Sequence, residues 1–112
     1  MKFRVLSGAA VILSMCLAGT SMAGEPSAEQ LEKGKTLFKS GAVPACAICH
    51  TLKDAEAEGA IGPNLDELKP DAQRVKQIMK EGAGAMPSFA ATMDDESMDA
   101  VAAYVAKVAG AQ

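Results

Sequence analysis

The chain has 112 residues, with 11 basic and 14 acidic side chains and a formal net charge of −3 when its one histidine is neutral. That length allows one small domain with a thin core, of the kind that commonly needs a staple. An acidic chain without a basic run also lacks the electrostatic footprint of a nucleic-acid-binding protein.

Residues 1–23 read as a secretory signal peptide. Lys2 and Arg4 make a positive start, Val5 to Leu17 an apolar stretch broken only by Ser7, Gly8 and Ser14, and Ser21-Met22-Ala23 a small-x-small cleavage site. The apolar stretch is short for a membrane span, and Gly19, Thr20 and Ser21 end it. An uncleaved anchor is the alternative, and a lipoprotein site at Cys16 would want a small residue where Met15 stands. Cleavage after Ala23 predicts a periplasmic domain, 24–112, of 89 residues with nine basic and 14 acidic side chains. Its aromatics are Phe38, Phe89 and Tyr104, so little bulk that a cofactor is expected to complete the core.

The rest reads as helices. Ser27 with Gln30 is a capping-box pattern that opens a helix over about Ala28–Lys39, with Leu31, Gly34 and Phe38 on one face. Gly41 and Pro44 break the chain. Residues 53–62, rich in Ala, Glu and Gly, read as a surface loop, and no convincing strand is found anywhere. Pro63-Asn64 is a turn before a short helix at Leu65–Leu68, which Pro70 interrupts. Asp71 caps a helix of about Ala72–Glu81 with Val75, Ile78 and Met79 inward, ended by Gly82 and Gly84. Asp94 caps the last helix, whose apolar stripe is Met98, Val101, Ala102, Val105, Val108 and Ala109.

Between the first helix and the loop lies Cys46-Ala47-Ile48-Cys49-His50. C-x-x-C-H is the spacing for covalent haem attachment. Two thiols one helical turn apart can each add to one vinyl group, and the histidine after the second can give a nitrogen to the iron. His50 is the chain's single histidine. Two other readings compete. A structural zinc site would take Cys46, Cys49 and His50 but needs a fourth ligand. A dithiol redox site would want a C-x-x-C near a βαβ pattern.

Four methionines follow His50. Met79 and Met98 fall in helical stripes, where methionine is a gap-filler, and Met93 precedes the Asp94 cap. Met86 lies outside any helix, between Gly84 and Pro87. Glycine permits close backbone approach and proline stiffens the turn, which would let a loop hold a thioether against a metal. Packing of the loop alone is the alternative role.

Taken together, these features make the chain resemble the class I c-type cytochromes from about Glu29 to Ala109. The match is carried by C-A-I-C-H at 46–50, Gly62-Pro63-Asn64-Leu65, Met86-Pro87 with Phe89, and the terminal helices, where Gly34, Phe38 and Tyr104 match family positions. The resemblance implies an all-α fold of four to five helices around one haem c attached through Cys46 and Cys49, with crossing terminal helices. It implies axial ligands His50 and Met86, and a Pro63 carbonyl that accepts from the other His50 nitrogen. Asn64 either supports the Met86 loop by a hydrogen bond or is a plain turn residue.

A His/Met pair leaves no open axial position. The expected function is therefore one-electron transfer between periplasmic or membrane-associated redox proteins, with no substrate chemistry, as a monomer when free. The alternatives are a peroxidase-type haem enzyme in which Met86 is displaced, and a non-haem thiol or metal-binding protein. Neither Gly41–Ala45 nor Gly82–Ala85, the segments that flank the haem edge in the family, carries a charged side chain, which predicts an apolar docking patch at Val43 and Ala85.

Overall fold

The computed structural model describes residues 25–111. The signal-peptide expectation for residues 1–23 lies outside them. Helix α1 spans Ala28–Thr36, and Ser27 Oγ accepts from the Gln30 N–H at 3.1 Å, as the capping pattern requires. The expected helix to Lys39 instead widens into a π-helical turn, Leu37–Gly41, closed by Ala42 N–H to Leu37 O at 3.0 Å. Propensity does not announce such a turn. Here Phe38 stays buried, and Gly41 lets the Leu37 side chain lie close, since a Cβ there would stand 2.8 Å from Leu37 Cδ2 and push it aside.

Helix α2, Cys46–Cys49, is a single turn closed by His50 N–H to Cys46 O at 2.9 Å. The stretch expected to be a surface loop is more ordered than that. Strands β1 (Thr51–Leu52) and β2 (Ala57–Glu58) pair antiparallel around a 3₁₀ turn, Lys53–Ala55, and Glu56 takes the left-handed conformation at φ 54°. Leu52, Ala55 and Ala57 are buried. Two-residue strands are too short for alternation to register in sequence, and the hairpin is set by what it packs on.

Helices α3 (Leu65–Leu68), α4 (Ala72–Glu81) and α5 (Asp95–Val108) match the expected positions. Asp71 and Asp94 cap α4 and α5, accepting from Arg74 N–H and Ser97 N–H at 2.7 Å each. Among the described residues the fold is thus five α-helices and one small hairpin.

The terminal helices α1 and α5 cross at Gly34. A Cβ added there would land on the Ala100 carbonyl and 2.6 Å from Tyr104 Cβ, so only glycine admits the crossing. Beside it Phe38 and Tyr104 meet edge-on with ring centroids 6.2 Å apart. Helix α4 also packs on α5. The core is built from Phe38, Met79, Phe89, Met98, Val101, Tyr104 and Val105, all buried. Met79 and Met98 are therefore packing residues, as their helical spacing predicts.

Candidate functional site

A cavity of about 380 Å³ opens between α2, α4 and the segment that follows α4. Cys46, Cys49, His50, Pro63 and Met86 all line it. Most of the remaining wall is apolar, including Leu65, Val75, Ile78, Phe89 and Val105. Of the helix face expected to point inward on α4, only Met79 is fully buried; Val75 and Ile78 are half-buried and line the cavity.

The single turn of α2 brings both cysteines to the same wall, each as a half-buried free thiol. Burial pushes the Cys46 thiol up to about 11, so it is protonated at neutral pH. His50 follows as the C-cap, and its Nδ1 lies 2.7 Å from the Pro63 carbonyl. A carbonyl can only accept, so Nδ1 carries a proton, and in the neutral ring the lone pair then lies on Nε2. The ring is also pressed from the side. A Cβ at Gly62 would lie 2.5 Å from His50 Cε1 and 2.9 Å from Nδ1, and Gly62 N–H bonds to Cys49 O at 2.6 Å. Gly59 fits as closely against the backbone of α2, because a Cβ there would lie 2.6 Å from His50 N. Gly62 could be read in sequence only as part of a motif; its reason is the imidazole face.

Met86 sits in a tight turn after α4. Ala83 N–H donates to Met86 O at 3.0 Å and Met86 N–H donates to Ala83 O at 2.9 Å. Gly82 and Gly84 take φ values of 73° and 56°, which glycine adopts without the cost a side chain would bring. The turn is anchored to α4 by Phe89 N–H to Met79 O at 2.7 Å and by Ser88 Oγ to Lys80 O at 2.5 Å.

Asn64 has a different job from the loop support weighed above. Its Oδ1 accepts from Asp66 N–H at 3.0 Å and Glu67 N–H at 3.4 Å, capping α3. Among the described residues it makes no hydrogen bond to the Met86 turn and does not line the cavity. Asp66, which sequence did not single out, ties three segments together: its carboxylate accepts from Lys53 N–H at 2.8 Å and Gly110 N–H at 2.9 Å.

The donor set and shape of this cavity suit one apolar, metal-centred group held by two thiols. Among the described residues, no three His, Cys, Asp or Glu side chains converge as a bare metal ion would require. The helical scaffold with crossed ends and the C-x-x-C-H turn on one wall are those of a c-type cytochrome, and the chain belongs to the small class I members of that family. A family model described as cytochrome c oxidase, cbb3-type, subunit III, matches residues 29–105. Cytochrome c-551 of Halorhodospira halochloris is 34% identical over 70 residues, covering 61% of this chain and 89% of that protein. The cytochrome c subunit of 4-cresol dehydrogenase (hydroxylating) of Pseudomonas putida is 33% identical over 88 residues, covering 77% and 70%. The crystal structure of the c-type cytochrome SorU from Sinorhizobium meliloti superposes with a TM-score of 0.73 at 50% identity, covering 75% of this chain and 95% of that one. These relationships support a haem-c electron carrier.

Proposed function

We propose that this protein is an exported, mono-haem electron carrier with His/Met axial ligation. The observation that carries the reading is a single cavity wall holding both thiols and a His50 whose Nδ1 is committed to Pro63, with Met86 lining the same cavity. Cys46 and Cys49 would hold the haem covalently, His50 would offer Nε2 and Met86 its thioether. Haem c supplies a one-electron iron couple. The Pro63 carbonyl fixes the imidazole orientation and strengthens it as a donor. The Met86 turn, cross-linked by its own backbone, keeps the sulfur from wandering. With both axial positions filled, the site favours electron exchange over substrate turnover, and a methionine ligand raises the potential relative to a second histidine.

Residues 1–23 support export and cleavage after Ala23, giving a mature domain of 24–112 in the periplasm. No described helix is long and apolar enough to cross a membrane. The similarity to a dehydrogenase cytochrome subunit supports a dehydrogenase as donor, with transient contact through the uncharged surface around Val43, which is 82% exposed, and Ala85.

The test is a visible spectrum of the protein matured in an exporting host. A sharp reduced α-band and a weak far-red sulfur-to-iron band are expected, and Met86→Ala should abolish the second while the haem stays attached. A high-spin spectrum of the native protein would point to the peroxidase-type alternative. No Soret band would end the haem reading. Copurification from the native host identifies the redox partner.

A further inference from the structure

We propose that Ser88 is the positioning residue that latches the Met86 turn onto α4, and so sets how readily an outside ligand displaces the thioether; the inference rests on the His/Met reading above. The turn has few means of holding itself in place. From Gly82 to Pro87 no side chain can form a hydrogen bond through nitrogen or oxygen. The Met86 N–H and carbonyl are both spent on Ala83, so they close the turn on itself without fixing it to the rest of the fold. Sequence offers Asn64 as the support, but Asn64 caps α3 and makes no hydrogen bond to this turn among the described residues.

The end of α4 supplies what is missing. The last four carbonyls of a helix have no partner within it. Three of those in α4 are taken up by the segment that carries Met86. Ile78 O accepts from Gly82 N–H at 2.7 Å, Met79 O from Phe89 N–H at 2.7 Å, and Lys80 O from Ser88 Oγ at 2.5 Å. The Ser88 hydroxyl is fixed on both sides, because Oγ also accepts from Ala90 N–H at 3.2 Å. Among the described residues it makes the one side-chain hydrogen bond that joins residues 82–91 to another element. Pro87 lies between Ser88 and Met86 and has a fixed φ, so a tether at Ser88 restrains Met86 two residues away. The thioether can leave the cavity wall for long only if this segment lifts from α4. Lifting breaks the Ser88 bond. A ligand that needs the lifted state binds more weakly by the fraction of time that state is populated.

The experiment is an imidazole titration of the oxidised, haem-loaded mature protein and its Ser88→Ala and Ser88→Thr variants, followed by loss of the far-red band. Imidazole is the competing ligand, since it offers iron a nitrogen in place of the sulfur. Ser88→Ala should lower the imidazole dissociation constant by about threefold to tenfold, the range that one net hydrogen bond supplies. Ser88→Thr keeps the hydroxyl and should bind imidazole as the native protein does. Gly34→Ala, at the α1–α5 crossing, separates this latch from general loss of stability: it should lower the melting temperature and leave the imidazole dissociation constant unchanged. An unchanged constant in Ser88→Ala would overturn the latch, as would a Gly34→Ala variant that tightens imidazole as much as Ser88→Ala does. A native protein that carries haem without the far-red band would instead overturn Met86 ligation, and this inference with it.

Discussion

The Tyr104 hydroxyl donates to Asp54 Oδ2 at 2.5 Å, and Lys35 Nζ reaches the same oxygen at 3.3 Å. One phenol therefore links α5 to the hairpin that follows His50, and a lysine links both to α1. The hydrogen bond from Tyr104, helped by Lys35, holds the Asp54 carboxyl below its usual 3.8. Burial and the same bond push the Tyr104 phenol well above 10. The signs are opposite. Asp54 contributes stability that is present above about pH 4 and is lost as pH falls through its lowered value. Tyr104 contributes stability that is full below pH 10 and is lost as pH rises beyond it. Replacing Tyr104 with Phe should cost about 1–2 kcal/mol and shrink the loss of stability on acidification; a melting series from pH 2 to 7 on both proteins measures it. At Gly62 the constraint is steric. Gly62→Ala should drive the His50 ring off its bond to Pro63, lowering the yield of haem-loaded protein and weakening the far-red band, with absorbance per polypeptide as the readout.

Among the elements, the α1–α5 crossing is the joint on which the others rest. It is cemented by contact rather than charge. The bridges on these helices, such as Lys33–Glu96 at 3.6 Å and Lys76–Asp99 at 2.7 Å, lie at the solvent boundary, where screening and side-chain entropy leave an ion pair little net stabilisation. The edge-on Phe38–Tyr104 pair adds about 0.5–1.5 kcal/mol beyond its buried area. A methyl group at Gly34 would meet the Ala100 carbonyl, which is backbone and cannot rotate away. Gly34→Ala should destabilise the loaded protein by about 1–3 kcal/mol despite the better helix propensity of alanine. For a domain of this size each kcal/mol lowers the melting temperature by about 4–8 °C, so an unchanged melting temperature would show that the helices do not meet there.

For the molecule as a whole, the wall of the cavity of about 380 Å³ is largely apolar, and a haem held there, as proposed above, would cover that wall and so complete the core. Replacing Cys46 and Cys49 by Ala should give a protein without a cooperative melting transition or near-ultraviolet circular dichroism. At the surface, charge and contact are separated. The lysine–carboxylate pairs lie on α1, α4, α5 and the hairpin, whereas Val43 and Ala85 are exposed and uncharged. Introducing Val43→Asp and Ala85→Glu should slow electron transfer to the partner by about tenfold, equivalent to about 1.4 kcal/mol, without moving the spectrum; stopped-flow oxidation of the reduced protein tests it.

Local chemistry made most of this legible from sequence. Capping residues and stripe spacing placed α4 and α5, because Asp71, Asp94 and the apolar periodicity act within one or two turns of chain, and the Pro63-Asn64 turn and Pro70 bounded α3. C-x-x-C-H marked the attachment turn for the same reason: its spacing is its chemistry. Gly34 and Gly41 show where that reach ends. A glycine on a helix face signals an approach without saying what approaches, and here the answers are the Ala100 carbonyl and the Leu37 side chain. The clamp at Asp66 and the convergence of Arg74 on the cavity depend on residues far apart in the chain, whereas the Asn64 cap is local, made to Asp66 and Glu67 two and three residues on, and is masked in sequence because Pro63-Asn64 also reads as a turn. Partners such as Tyr104 and Asp54, 50 positions apart, leave no periodic trace. Sequence by itself determined which residues could do the chemistry; only tertiary packing decided which of them face one cavity, because that depends on contacts no local pattern encodes.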